Sequence, residues 1–186
     1  MSWGSSAPHS RYRSLRATDP VVDEDCTGGP VVRSETMSRA DGYEDLEPDR
    51  AERWLGYGKW EREYFPKLVG LSAEVVKKDF CRMRLAFKPS LEQPAGVVHG
   101  GAIASLIDSV VVPAIGSAYD AGTNFVTIDL HVQFLGALVQ EDAIAEGWVV
   151  QRGRSVVFVE AEVVGASSGK TIARGQMTYK VSHPRH

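Results

Sequence analysis

Apolar and polar positions recur with different periods along this chain, and the changes of period mark its elements. Residues 1 to about 40 show no sustained period; Ser, Arg, Gly, Pro and acids dominate. Such a stretch cannot bury enough apolar surface to offset its ordering entropy, so a flexible arm is expected there. Over residues 48–65, Trp54, Leu55, Tyr57, Tyr64 and Phe65 fall at roughly helical spacing between Asp49, Arg50, Glu52 and Arg53. This predicts one aromatic helix, ended by Pro66. Residues 71–76 and 80–87 read as a hairpin turning at Lys77-Lys78-Asp79, with Arg82 and Arg84 alternating against Met83 and Leu85. Pro89, Pro94 and Gly96 mark a loop.

The longest apolar run then follows. Gly96-Val-Val-His99-Gly100-Gly101 opens it, and Ile103, Leu106, Ile107, Val110 and Val111 continue it around a single acid, Asp108. A helix is predicted, with Pro113 expected to kink it. Beyond it, Val126, Ile128, Leu130, Val132 and Phe134 are expected on one face of a strand, and Thr127, Asp129, His131 and Gln133 on the other. Three further strands, about 143–150, 155–164 and 171–181, are separated by the Arg152-Gly153-Arg154 and Gly165–Gly169 turns. Short links between them predict an antiparallel meander. The class is therefore α+β: an antiparallel sheet wrapped around one long central helix, with an N-terminal extension. The chain divides into an arm over 1–45, a helical extension over 46–69 and the sheet-and-helix domain over 70–183.

Composition narrows the picture. With 186 residues, a net charge of −3 and 24% charged residues, the chain has no basic excess for nucleic acid. Two distant cysteines, Cys26 and Cys81, give neither a disulfide framework nor metal spacing. No run of 18 apolar residues predicts a membrane span. The first eighteen residues, with Arg11, Arg13, Arg16 and several serines, fit either an organelle-targeting segment or an untargeted tail. The tail, and a cytoplasmic location, is the preferred expectation.

The chemistry concentrates in the central stretch. Gly100-Gly101 stands at a helix N-terminus, where unpaired N–H groups and the positive dipole end favour developing negative charge. The Gly100 N–H suits the polarisation of a carbonyl, as in an oxyanion hole. Asp108, among apolar neighbours, suits a base or nucleophile. His99, beside the glycines, reads as a hydrogen-bonding strut rather than a base. Eight residues separate Gly100 from Asp108, ~12 Å along one helix. The two cannot meet at one carbonyl within one chain. A two-fold dimer with antiparallel central helices would bring each to the other's partner, twice over.

These residues resemble a known pattern. Gln93, Gly96, His99-Gly100-Gly101 and Leu106-Ile107-Asp108, followed by 127–134, the Arg152–Arg154 turn and Gly169, are similar to the hotdog-fold acyl-CoA thioesterases of the PaaI-type, 4-hydroxybenzoyl-CoA thioesterase superfamily. The resemblance covers roughly residues 70–181. It implies a hotdog fold and hydrolysis of an acyl-CoA thioester to acid and CoA, with no cofactor and no metal. Gly100 would donate to the thioester carbonyl, and Asp108 of the other subunit would act as base or nucleophile. Gln93, where the family usually has Asn, would place the water or carbonyl; His99 would hold the loop and Thr127 orient the water. Gly101, Arg152, Gly153 and Arg154 would bind substrate and CoA phosphates. A homodimer, or a dimer of dimers, is the implied assembly. A non-catalytic acyl-CoA-binding regulatory or partner module is the alternative. A hydratase on the same fold is a third reading, disfavoured because its motif differs.

Overall fold

The protein is described by a computed structural model over residues 38–183. The first 37 residues, with most of the expected arm, the Arg- and Ser-rich start and Cys26, lie outside the described residues. Residues 38–45, grouped with the arm by sequence, pack on the sheet. Ala40 is buried, Tyr43 stacks on Phe80 at 4.9 Å, and Arg39 lies 3.9 Å from the centre of the Trp148 ring.

The single helix expected over 48–65 is two. Helix α1 spans Pro48–Leu55 and α2 spans Phe65–Val69. Gly56 and Gly58 intervene, the latter at φ +85°, a conformation that breaks a helix and suits glycine. Pro66 opens α2 rather than closing α1. A proline is tolerated in the first turn because its missing N–H would have had no intrahelical partner there.

Strands β1 (Leu71–Lys77) and β2 (Phe80–Leu85) form the expected hairpin. The following loop contains a small ladder of β3 (Glu92–Gln93) on β4 (Val97–Val98). Helix α3 runs from Gly100 to Gly116, and Pro113 does not end it. Ile103, Leu106, Ile107, Val110, Val111, Ala114 and Ile115 are all buried. A helix apolar on every side must be enclosed. The enclosure is one sheet, in the order β1-β2-β6-β7-β8-β5, completed by β5 (Asn124–Phe134), β6 (Ala143–Arg152), β7 (Val156–Gly165) and β8 (Thr171–Ser182). Each neighbouring pair in it is antiparallel, but β5 pairs with β8 rather than β6, so the meander expected of the strands after the helix holds only from β6 to β8. Close approach is built in at Gly175, where a Cβ would stand 2.4 Å from Ile107 Cγ2.

Strand β5 departs from the expected alternation. Its pairing with β8 shifts between Thr127 and Asp129, leaving Ile128 as a bulge. Thr127 lies opposite buried Tyr179, while Leu130 and Val132 lie opposite buried Met177 and Gly175. Residues paired across a ladder share a face. The bulge therefore places Phe125 and Thr127 on the helix side together with Leu130, Val132 and Phe134, and turns Val126 outward. A bulge re-aims side chains in this way. Strand β5 is also an edge of the sheet, with Val126 57%, Ile128 58% and Phe134 55% exposed.

The C-terminal end of α3 is held by three arginines. Arg50 donates to the carbonyls of Ser117 (3.2 Å) and Tyr119 (2.8 Å), and Arg53 to Tyr119 (3.1 Å). Arg152 donates to Ala114 (3.2 Å) and Ile115 (2.8 Å). Cations suit the negative end of a helix dipole and its unpaired carbonyls. Trp54 of α1 fills the notch at Gly116, where an added Cβ would lie 1.9 Å from its ring. Gly116→Ala is expected to displace Trp54 and destabilise the protein by about 1–3 kcal/mol, lowering Tm by roughly 3–10 °C in a calorimetric scan.

Candidate active site

His99 is the N-cap of α3, in extended conformation at φ −61° and ψ 133°. Its own N–H donates to the Leu91 carbonyl at 2.7 Å, which ties the β3–β4 loop to the helix start. Its Nδ1 accepts the Gly101 N–H at 2.8 Å, so the ring proton is assigned to Nε2. The Ala102 and Ile103 N–H groups bond the His99 carbonyl. In this first turn the Gly100 N–H is left with no acceptor among the described residues, and a Cβ added at Gly100 would stand 3.3 Å from the Phe134 ring. Gln93 stands on β3 opposite Val97, close in the chain to this end of the helix. His99 and Gly101 line one cavity at this helix start, and Gln93 lies on the β3–β4 ladder that leads into it.

A cavity of about 300 Å³ opens beside them, lined by Phe65, Val69, Leu91, Glu92, His99 and Ala102 among others. One carboxylate oxygen of Glu92, Oε1, is buried without a hydrogen-bond partner among the described residues. A larger cavity, about 480 Å³, lies on the outer sheet face between Arg39, His131, Trp148 and Arg174. Its arginines are already paired, Arg174 with Glu162 at 3.0 Å and Arg39 with Glu162 at 3.5 Å, and none of the expected site residues lines it. The smaller cavity is the one that belongs with the helix start.

Asp108 forms a second cluster further along α3. Thr127 Oγ1 donates to Asp108 Oδ1 at 2.9 Å. The Tyr179 hydroxyl stands 2.5 Å from the same Oδ1 and 2.7 Å from the Asp108 carbonyl oxygen. Burial, followed by the charge of Asp108, pushes the Tyr179 phenol well above its usual range, so it is a donor. Tyr57 is raised by burial first, with Asp108 adding to it and a hydrogen bond to Ser109 opposing. The sequence singled out Asp108 and Thr127 but not Tyr179. A signal existed: Tyr179 continues the alternating buried row Ala173, Gly175, Met177 and Val181, and a tyrosine on a core face needs a partner for its hydroxyl.

The remaining expected residues go elsewhere. Arg152 is engaged by Asp79 Oδ1, at 2.8 Å from its Nε, and by the carbonyls at the far end of α3, over Tyr119 at 4.9 Å. Fourteen residues of helix, ~21 Å, separate Ala114 from Gly100. Arg152 is thus occupied in bracing the fold. Gly153 and Arg154 stand exposed on the turn between β6 and β7.

Comparison with known proteins agrees with this architecture. The family model described as the thioesterase superfamily matches residues 95–172. Acyl-coenzyme A thioesterase 13 of Mus musculus is 24% identical over 111 residues, 59% of this chain and 77% of that protein. Its Homo sapiens counterpart is 27% identical over 84 residues, 45% of this chain; the match spans 59% of the human protein's length. A solved conserved protein from Pseudomonas aeruginosa superposes with a TM-score of 0.61 at 28% identity, over 65% of this chain and 95% of that one. Sheet, enclosed helix and matches together define a hotdog-fold thioester hydrolase. Over residues 95–172 the chain is similar to the thioesterase superfamily.

The cap at His99 also carries a stability consequence. His99→Ala is expected to cost about 1 kcal/mol in chemical denaturation, and His99→Asn, which keeps an acceptor at the N-cap, only a few tenths.

Proposed function

We propose that the protein hydrolyses an acyl-CoA thioester to the free acid and CoA. The observation that carries this reading is the half-buried Asp108 carboxylate. It is bonded through Oδ1 alone, and Oδ2 has no partner among the described residues. Such an oxygen is available to take a proton from water. Water then adds to the thioester carbon, the oxyanion forms against the Gly100 N–H at the positive end of α3, and the CoA thiolate leaves as the carbonyl reforms. Gln93 places the water or the carbonyl, and His99 keeps the Gly100 N–H aimed. The cavity lined by Phe65, Val69 and Leu91 receives the acyl group. Of the two turn arginines, Arg154 is assigned to a CoA phosphate, since Arg152 is occupied.

Each site is shared between two subunits. Gly100 and Asp108 lie eight residues apart on α3, ~12 Å, beyond the reach of one carbonyl. The exposed edge of β5, with Val126 and Ile128 bare, supports pairing with a second copy that runs the two central helices antiparallel.

Assay against a panel of acyl-CoA chain lengths tests the activity; tight calorimetric binding without turnover would instead establish the binding-module alternative. Asp108→Asn is expected to keep fold and ligand affinity while losing at least about 100-fold in kcat. Gly100→Pro removes the N–H at a position where proline suits the helix, and is expected to lose turnover similarly. Mixed and reassociated, the two inactive variants should regain about a quarter of wild-type activity, since half the dimers carry one intact composite site. No recovery after verified exchange would exclude shared sites.

A further inference from the structure

We propose that Tyr179 is a positioning residue that, with Thr127, pins one oxygen of the Asp108 carboxylate and so fixes the other for reaction. The inference rests on the assignment of Asp108 as the reacting carboxylate. Tyr179 lies on β8, outside residues 95–172 matched by the family model, so the likeness does not supply it.

The geometry is specific. Tyr179 is 2% exposed and held on both sides, opposite Thr127 of β5 and Val157 of β7. Its ring cannot swing without disturbing two ladders and the core. Its hydroxyl stands 2.5 Å from Asp108 Oδ1, and Thr127 Oγ1 stands 2.9 Å from the same atom. A phenol has one proton, and an ionised carboxylate is the stronger acceptor, so Oδ1 takes it in preference to the Asp108 carbonyl at 2.7 Å. Among the described residues two donors converge on Oδ1 and none on Oδ2.

An aspartate with equivalent surroundings at both oxygens can turn about its last torsion, because that torsion is broad and two-fold. Two hydroxyls on one oxygen abolish the equivalence. They keep the carboxylate plane fixed and leave Oδ2 without a partner among the described residues. The phenol contributes to the reaction through Asp108, without touching substrate.

The test is steady-state kinetics of Tyr179→Phe, Asp108→Asn and the double variant, each shown to be folded by its thermal transition. Tyr179→Phe is expected to lower kcat about 10- to 100-fold, the worth of a hydrogen bond to a charged group, with KM within about two-fold of wild type. In the Asp108→Asn background the same change is expected to lower the residual rate no further, because the residue acts through Asp108. A purely structural tyrosine would lower both backgrounds by the same factor, which would overturn the proposal. Wild-type kcat in Tyr179→Phe, with Asp108→Asn inactive, would overturn it alone. An active Asp108→Asn would overturn the assignment of the carboxylate as well. Proton NMR of the wild-type chain decides the matter should phenylalanine fold poorly. A slowly exchanging hydroxyl resonance downfield of the amides, lost in Asp108→Asn, supports the contact; its absence refutes it.

Discussion

A carboxylate on an apolar helix can persist only if something replaces the water it has lost. On α3 the replacement is two hydroxyls on one oxygen, and much of the surrounding structure follows from supplying them. The sheet must curl far enough around the helix for its last two neighbours, β8 and β5, to reach Asp108 from one side. Gly175 brings β8 to within contact of Ile107, one residue before the acid. With Oδ1 satisfied from inside the subunit, the other oxygen has no partner among the described residues, and the Gly100 N–H, likewise without one among them, lies at the start of the same helix. Under the proposed reaction, the subunit holds the two halves of two different sites.

The periodic parts of the fold were legible from the residues alone. Ile103 to Ile115 form a largely apolar helix, and strands β6 to β8 alternate over most of their length between turns, so local pattern and tertiary burial largely agree. Asp108 was legible because a polar residue in such a pattern stands out, whereas Thr127 was singled out only by the family resemblance, the alternation having placed it on the polar face. Other features depend on contacts between distant segments, which no local period records. Pro66 reads as a helix stop until the positive φ at Gly58 shows that the first helix has already ended. Arg152 reads as a free turn cation; only the fold brings Asp79 and the last carbonyls of α3 around it. Tyr179 reads as one more strand residue until its hydroxyl is followed to Asp108.

The two ends of α3 are treated differently. At its start, one histidine ring and one loop carbonyl take up most of the free polarity, leaving a single N–H. At its end, three guanidinium groups from α1 and β6 saturate the carbonyls, and Trp54 closes the gap beside Gly116. The helical extension is therefore bound into the hydrogen-bonding of the central helix. Its Tyr57 reaches as far as the field of Asp108.

The extra residue at Ile128 has a consequence of another kind. Strand β5 is read in two frames: odd-numbered residues face the helix before the bulge and even-numbered residues after it. Apolar side chains from Leu130 to Phe134 anchor the second frame. Straightening the strand with every residue kept would act on the first frame as a frameshift acts on a message, leaving the later residues in place while exchanging inside for outside at each earlier position. Thr127 would turn toward solvent and Ile128 would take its place opposite Tyr179. The threonine's role is thus encoded less by its own identity than by a count of residues downstream of it.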